Sequence, residues 1–523
     1  MSTTNTRRGL LASAGALVTV VALALGGSVA AQASTVKMPD RSGLIITKHE
    51  QPDEAGTPAT GLPQDTGLPV IPGVTFEAYQ VPLNNDPMTD AGRAEIAGID
   101  LAEAQGKVSG VAATRSGTTD AQGQIHWQSS AAPGQKDGED LGAGLWLVRE
   151  TAAPAGVIRA GDFLVAVPLT DPTNGEQWLN TIYVYPKNQT VEGEKTVDNE
   201  SDFTVGSTVT WRISIDNPSP FNALTGAYEP AEMFRVVDVL RDEYLSTDAT
   251  GQDFTVVSPA GMVWGQDYTV TVEPGQSAGT TALTLEYTAS GLDRLAEAPT
   301  ERAVMELKTL VVKGGVIENS AQFWTSESQG EPGEIPGTSM KYGDYALIKK
   351  SAGTPVGALP SLSGAEFMVF TTEQDALDAQ NDVPGAKDKA VRPAVNVPGY
   401  DPVAGTWTTN ADGRVDITGL RYSGFANGES FGPGDPRYVT YWLVETRALE
   451  GHQLLAQPFS FIIDEDSATQ TTEEIVNQYD RNGFVLPLTG GAGTLVLTIA
   501  GLALLATVLV VARRRSLAHR AAA

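Results

Sequence analysis

Five short segments occur twice in this chain, in the same order, and this internal repeat limits the folds that the chain can adopt. The first copy starts with LIITK, which ends at Lys48, and the second starts with ALIKK, which contains Lys349. The other pairs are GVTFEAY and GAEFMVF, TTDAQGQI and TNADGRVDI, LWLVRETAAPAG and YWLVETRALEG, and FLVAVPL and FSFII. Because self-similar segments adopt the same structure, the copies should share one fold. The Asp- and Gly-containing pair predicts a tight turn in each copy.

Short β-rich runs, many of them alternating apolar and polar residues, are separated by frequent turn residues, since the chain has 55 Gly and 31 Pro. Such runs predict strands, and their spacing predicts an all-β fold of tandem sandwiches. Long amphipathic helices are scarce. The predicted strands include Leu44–Thr47, Thr75–Tyr79, Phe163–Val167, Thr181–Tyr185, Val209–Ile215, Tyr268–Val272, Ala282–Tyr287, Tyr345–Ile348 and Phe459–Ile463.

Both ends of the chain carry processing signals. Near the start, two arginines precede an apolar stretch that ends in the small-residue sequence AQA at Ala33, which predicts a secretory signal peptide. Near the end, the apolar run Gly493–Ala512 has about 20 residues, long enough for a helix to cross a bilayer. Three arginines follow this run and favour the cytoplasmic side. Directly before the run stand Leu486, Pro487, Leu488, Thr489 and Gly490.

Composition narrows the possible partners and chemistry. The 523 residues contain no cysteine, so disulfides, thiolate metal sites and cysteine nucleophiles are excluded. The formal net charge of −28 disfavours nucleic acid as a partner. No HExxH sequence, phosphate-binding loop or EF-hand spacing occurs, so we predict neither a cofactor nor a metal site. A GxSxG sequence at Gly275–Gly279 lies between two β runs and not before a helix, which argues against a hydrolase elbow.

The order of LPLTG, apolar run and basic tail resembles the sorting signal of Gram-positive surface proteins. That resemblance implies that a sortase cleaves between Thr489 and Gly490, that the membrane helix belongs to a transient precursor, and that the mature protein is secreted and anchored to cell-wall peptidoglycan.

The two repeat copies resemble the B-type domains of the same surface proteins, which are inverse immunoglobulin-like sandwiches, and the β-rich middle resembles their A-type domain. The implied architecture is all-β, with three tandem immunoglobulin-like sandwiches. We predict a signal peptide (1–33), a first B-type domain (34–188), a middle A-type domain (189–340), a third, B-type domain (341–485) and the sorting segment (486–523). A Gly/Pro-rich insertion from Asn396 to Arg437 is a possible contact surface or a lid over the ETRALEG segment.

The sequence WLNTIYVYPKN, which ends at Asn188, resembles the pilin motif WxxxVxVYPK of sortase-assembled fimbrial subunits. That resemblance implies that the amine of Lys187 attacks a thioester that the sortase forms at Thr489 of another copy. Such a lysine should be exposed and rigidly held, and Pro186 restricts the backbone just before it. The ETAAPAG and ETRALEG segments resemble the E-box of these pilins, which identifies Glu150 and Glu445 as E-box residues.

Domains of this class often contain a lysine–asparagine isopeptide bond that forms beside a carboxyl group. Burial favours the neutral amine and the neutral acid that this reaction needs. The resemblance implies two sets of a lysine, a catalytic acid and an asparagine. They are Lys195, Asp238 and Asn319 in the middle domain, and Lys349, Glu445 and Asn477 in the third.

Two assignments stay open in this scheme. Lys350 competes with Lys349, which is preferred because it aligns with Lys48 in the repeat. The first domain offers Lys48 and Glu150, but its asparagine is unclear: Asn180 is the candidate inside the last strand, and whether this domain contains a bond stays open.

The predicted function is that of a major shaft subunit of a covalently linked Gram-positive pilus, similar to the fimbrillins of Actinomyces and Corynebacterium, which supports adhesion and biofilm formation. The implied partners are a pilin-specific sortase, other copies of the chain, tip or base pilins, a housekeeping sortase with peptidoglycan, and a host or bacterial surface receptor. The chain would be a substrate of sortase and not an enzyme. Its internal cross-links would form by a self-catalysed reaction that occurs once in each domain. The alternative is a monomeric wall-anchored adhesin, which would not need Lys187.

Overall fold

A computed structural model describes residues 37–51, 59–129, 139–222, 227–327, 331–352, 362–467 and 473–478. The predicted signal peptide, the LPLTG sequence and the C-terminal apolar run lie outside these residues. Within them, no helix is both long and apolar enough to cross a membrane.

The described part of the predicted first domain contains short strands and two helices. They are β1 (Arg41–Thr47), β2 (His49–Glu50), β3 (Thr75–Gln80), α1 (Asp90–Gly98), α2 (Leu101–Lys107), β4 (Arg115–Thr118), β5 (Gln124–Trp127), β6 (Leu141–Gly142), β7 (Gly144–Ala152), β8 (Phe163–Val167), β9 (Thr181–Val184) and β10 (Lys187–Asn188).

Strands also dominate the middle of the chain. They are β11 (Gly193–Asp198), β12 (Thr208–Ile215), β13 (Phe221–Asn222), β14 (Ala227–Tyr228), β15 (Arg235–Arg241), β16 (Leu245–Ser246), β17 (Phe254–Ser258), β18 (Tyr268–Pro274) and β19 (Thr280–Tyr287), then helix α3 (Ala289–Glu297), then β20 (Ala303–Val311), β21 (Gly315–Trp324) and β22 (Gly333–Ala352).

The third part repeats the pattern of the first. Its elements are β23 (Glu366–Phe370), α4 (Glu373–Gln380), a 3-10 turn (Ala386–Lys389), β24 (Tyr400–Asp401), β25 (Thr406–Thr408), β26 (Arg414–Arg421), β27 (Phe425–Ala426), β28 (Glu429–Ser430), β29 (Tyr441–Arg447), β30 (Phe459–Phe461) and β31 (Glu473–Gln478). Each strand predicted from the sequence overlaps a strand of the structure.

The first domain is a sandwich of two sheets. One sheet has the order β4-β3-β7-β8, and the other is built around β1, which pairs with β5, with β6 and, in parallel, with β9. Their inner faces bury Phe76, Trp127 and Trp146. Burial of such large side chains is the main force that holds two sheets together.

Helices cover the outer face of one sheet in both repeat copies. In the first copy, Ala104 of α2 packs with Leu147 of β7. In the second, Ala376 of α4 packs with Val444 of β29. These strands are therefore buried on both sides, which explains why LWLV and YWLV lack strict alternation.

One strand belongs to both the middle and the third domain. The first half of β22 pairs with β21, and its second half pairs with β26 and, in parallel, with β31. The predicted domain boundary at Met340 thus falls inside a continuous strand. A single core cluster extends from Trp211 in the middle domain to Trp407 in the third.

Candidate functional site

The third domain brings its three predicted residues together in the core. Lys349 lies on β22, Glu445 on β29 of the facing sheet and Asn477 on β31. The Lys349 Nζ is 3.1 Å from the Glu445 Oε1, and both side chains are fully buried. Asn477 Nδ2 donates to Glu445 Oε1 at 2.9 Å. The competing Lys350 points to the surface, where it pairs with Glu474 at 3.4 Å.

In the middle domain, the predicted set connects the two sheets. Lys195 lies on β11 of one sheet, whereas Asp238 and Asn319 lie on the neighbouring strands β15 and β21 of the other. Lys195 Nζ contacts Asp238 Oδ2, and both side chains are fully buried. Asn319 is 3% exposed, and neither of its side-chain polar atoms has a hydrogen-bond partner among the described residues. A buried amide without partners is costly unless it reacts.

The first domain contains a third set of the same kind, which was not predicted from the sequence. The Lys48 Nζ is 2.8 Å from Glu150 Oε2, and Asn188 Nδ2 donates to Glu150 Oε1 at 2.6 Å. All three side chains are buried. The predicted alternative, Asn180, is exposed and uses its backbone carbonyl to accept from Gly43 N at 2.8 Å.

The repeat itself contains the signal for Asn188. The first copy ends in YPKNQ and the second in EIVNQ, so that Asn188-Gln189 aligns with Asn477-Gln478. The pilin motif covers the same residues and identifies Lys187 as the reactant, so the motif does not single out the neighbouring asparagine.

A repeated turn holds each B-type lysine in place. The Lys48 N–H donates to Gly123 O at 2.8 Å, and the Lys349 N–H donates to Gly413 O at 2.7 Å. Both glycines have positive φ, +69° and +77°. A Cβ on Gly123 would lie 2.9 Å from Lys48 O, and one on Gly413 would lie 2.6 Å from Lys349 O. Glycine is therefore required for conformation and for space.

Burial changes the proton affinity of all three lysines. Desolvation lowers the pKa of Lys48 to about 8, against the opposing effect of the Glu150 charge. Desolvation also lowers the pKa of Lys195 and of Lys349, whose partners are Asp238 and Glu445. A lower pKa makes the neutral, nucleophilic amine easier to reach.

Lys187 lies on the outer face, next to the first set. It pairs in register with His49 of β2, and its Nζ is 3.5 Å from Tyr185 O. The side chain is half-buried, not fully exposed as predicted, and desolvation lowers its pKa. The ring of Tyr185 stacks on that of His49, with 6.0 Å between the ring centres.

The GxSxG segment connects β18 and β19 as a hairpin. No helix starts after its serine, so the geometry of a hydrolase elbow is not formed.

Two family models match parts of the chain. Residues 43–189 match the family described as Gram-positive pilin subunit D1, N-terminal domain. Residues 482–516 match the LPXTG cell wall anchor motif. The chain thus carries a Gram-positive pilin domain and a cell wall anchor motif. The resemblance to Gram-positive pilins and the predicted cell-wall localisation are thereby confirmed.

Relatives of this pilin align over nearly its whole length. It is 29% identical to fimbrial subunit type 1 of Actinomyces viscosus, covering 99% of both chains. It is 27% identical to fimbrial subunit type 2 of Actinomyces naeslundii, covering 96% of the pilin and 95% of that relative.

The fold of the pilin also has a solved counterpart. The full-length major pilin SpaD of Corynebacterium diphtheriae superposes with a TM-score of 0.56 at 21% identity, over 86% of the pilin and 99% of SpaD. The prediction of an all-β fold with tandem immunoglobulin-like sandwiches is confirmed.

Proposed function

We propose that this pilin is the major shaft subunit of a covalent pilus in which a sortase joins Thr489 of one copy to Lys187 of the next. The sortase thiol first displaces Gly490 from Thr489 and forms a thioester. The neutral Lys187 amine then attacks the Thr489 carbonyl carbon, a C–N bond forms, and the C–S bond breaks to restore the thiol.

The observation that carries this proposal is the placement of Lys187 directly beside a buried lysine–acid–asparagine set. Glu150 holds Asn188 in the core, which restrains the strand that carries Lys187. A rigidly held acceptor reduces the entropy lost in reaching the transition state.

We further propose that each of the three sets closes into an internal isopeptide bond. The lysine gives one proton to the carboxylate, and its neutral nitrogen attacks Cγ of the asparagine. The C–Nδ2 bond breaks, and Nδ2 leaves as ammonia with a second proton from the lysine nitrogen. The acid ends protonated, and no outside reactant is consumed.

In the cell, the partners of this chemistry would be a pilin-specific sortase and other copies of the chain, with tip or base pilins at the ends of the fibre. A housekeeping sortase would attach the finished polymer to peptidoglycan. The fibre would support adhesion and biofilm formation by acting as a scaffold on the cell surface.

Substitution of the acceptor lysine tests the polymer. Cells that express Lys187→Ala should release only monomeric pilin from their walls, and a denaturing gel should lack the ladder of covalent multimers. Lys313→Ala is the matched control, because Lys313 is an exposed lysine of the middle domain, and it should keep the ladder. A full ladder in Lys187→Ala would contradict the role of Lys187 as the acceptor, and the absence of a ladder in the unsubstituted protein would favour the monomeric adhesin.

A further inference from the structure

A loop of the middle domain forms part of the third domain. Residues 199–206, here called the strap, connect β11 to β12 but pack against β26. The Val205 N–H donates to Gly419 O at 2.8 Å, and the Arg421 N–H donates to Phe203 O at 2.9 Å. The strap therefore forms an isolated antiparallel bridge, Thr204 to Leu420, on the edge of a third-domain sheet.

The strap is also bound to the Gly/Pro-rich insertion. The Asn199 N–H donates to Asn427 Oδ1 at 2.8 Å, and the Asn427 N–H donates to Asn199 Oδ1 at 2.7 Å. Asn427 has φ of +53° and is followed by Gly428 at +78°. This Asn-Gly pair forms the hairpin turn between β27 and β28, a conformation that asparagine and glycine tolerate best. The hairpin is thus a contact surface toward the middle domain.

A buried arginine depends on the strap for its cover. Arg421 is fully buried, and its guanidinium donates to Phe425 O at 2.7 Å and lies 5.3 Å from the ring centre of Phe203. Tyr342 and Tyr441 donate to the strap carbonyls of Asp202 and Phe203 at 3.2 and 3.4 Å. Without the strap, a cation at the edge of the core would lose its aromatic cover.

The strap is connected to the third cross-linking set through one sheet. It borders β26, β26 pairs with β22, and β22 carries Lys349 and pairs with β31, which carries Asn477. The middle-domain set, by contrast, contains no residue of the strap. The sheet containing β11 and β12 is complete without the strap, whose end is tied to the middle domain by Gly206 N–H donating to Val311 O at 2.7 Å.

We propose that the strap completes the third domain, so that the Lys349–Asn477 bond forms only after the middle domain has folded and placed residues 199–206 against β26. This inference rests on the proposed internal cross-links and concerns their order. The chain would then mature from the middle domain toward the anchor, because the middle set needs no residue of the third domain.

The test follows each bond separately in the full-length ectodomain during cell-free synthesis, by peptide mapping of samples taken over time. Phe203→Ala and Asn199→Ala, tested as separate variants, should each lower the rate at which the third-domain bond forms about tenfold, a factor equivalent to about 1.4 kcal/mol. The rate of formation of the middle-domain bond should not change. Ser201→Ala is the control, because Ser201 is exposed in the same loop. Asn427→Gly keeps the positive φ and removes only the side-chain contact, so it should give a smaller delay.

The middle bond reports folding in the same sample. A third-domain bond that forms at the unsubstituted rate in Phe203→Ala would overturn the inference. If the unsubstituted chain formed no internal bond at all, the proposed internal cross-links would fail instead. In that case, hydrogen exchange at the Val205 and Arg421 amides would still test whether the strap docks, and rapid exchange would overturn the docking as well.

Discussion

Lys187 and Asn188 are adjacent in the chain, yet their side chains serve opposite faces of the same short strand. Asn188 points into the core and binds Glu150, whereas Lys187 remains half-buried on the outside, near Tyr185 O. Alternation along a strand separates the two side chains. An internal and an external cross-link can therefore form at neighbouring residues without competing for the same space.

The first-domain set predicts a third internal bond. The intact mass of the folded ectodomain should be lower than its sequence mass by three ammonia molecules. Glu150→Gln removes the acid that accepts the lysine proton, so the deficit should fall to two ammonia molecules. The free energy of unfolding should drop by about 4–5 kcal/mol if the bond acts like a disulfide that closes a long loop.

Asp162→Asn provides the control for this experiment. Asp162 pairs with Arg149, the residue before Glu150, at 2.8 Å and lies outside the set. The mass deficit of the Asp162→Asn variant should stay at three ammonia molecules. A deficit of three in Glu150→Gln would contradict the role of Glu150 as the acid that promotes the first-domain bond.

The pKa of the acceptor lysine should be measurably low. Burial lowers the pKa of Lys187, whereas the hydrogen bond to Glu243 raises that of the exposed Lys313. In an NMR titration of side-chain carbon resonances, Lys187 should lose its proton at a lower pH than Lys313. A Lys187 that titrates together with Lys313 would show that the strand does not desolvate the amine.

The strap should make stability depend on pH through Asp202. Partial burial and the charge of Asp198 raise the pKa of Asp202 to about 6, although Arg421 opposes this shift. An acid whose pKa is raised by folding stabilises the fold below its unfolded pKa, about 3.9. That contribution is lost as the pH rises through about 6.

Asp202→Asn removes the carboxyl group whose ionisation causes this loss of stability. The melting temperature of the ectodomain should therefore rise relative to the unsubstituted protein at pH 7.5 and change much less at pH 4.5. Glu200→Gln, an exposed neighbour in the strap, should show no such difference between the two pH values. Equal effects of Asp202→Asn at both pH values would argue against a buried carboxyl.

Gly413 should not tolerate a side chain. Alanine would have to adopt a positive φ, which costs about 1–3 kcal/mol, and its Cβ would also press on the carbonyl of Lys349. Gly413→Ala should lower the melting temperature and slow the third-domain bond. Gly399→Ala is the control, because Gly399 has φ of +77° but no atom near a built Cβ, and it should lose less stability and keep the rate.

Much of the structure could be predicted from local sequence patterns. Runs of alternating apolar and polar residues predicted the strands. The alignment of Lys349 with Lys48 in the repeat predicted that Lys349 is the core lysine. The same repeat contained Asn188, but the pilin motif lies on the same residues and concealed it.

Other features depend on contacts between distant residues and leave no local signal. Phe203 and Arg421 are in contact although they are far apart in the sequence, and local sequence patterns predict a loop around Phe203. The continuity of β22 was obscured by Pro336, Gly337 and Gly343, which normally interrupt a strand. The structure accommodates them beside irregularities in the pairing with β21 and β26, as bulges commonly do.

The shared strand β22 limits how such pilins can exchange parts. A recombination event or an engineered chimera that joined a foreign anchor-proximal domain near Met340 would cut through one strand with partners on both sides. The incoming segment would need to match the spacing of β21, β26 and β31 together, and it would also need a compatible edge for residues 199–206. Transfer of residues 189–478 as one cassette keeps all of these pairings intact.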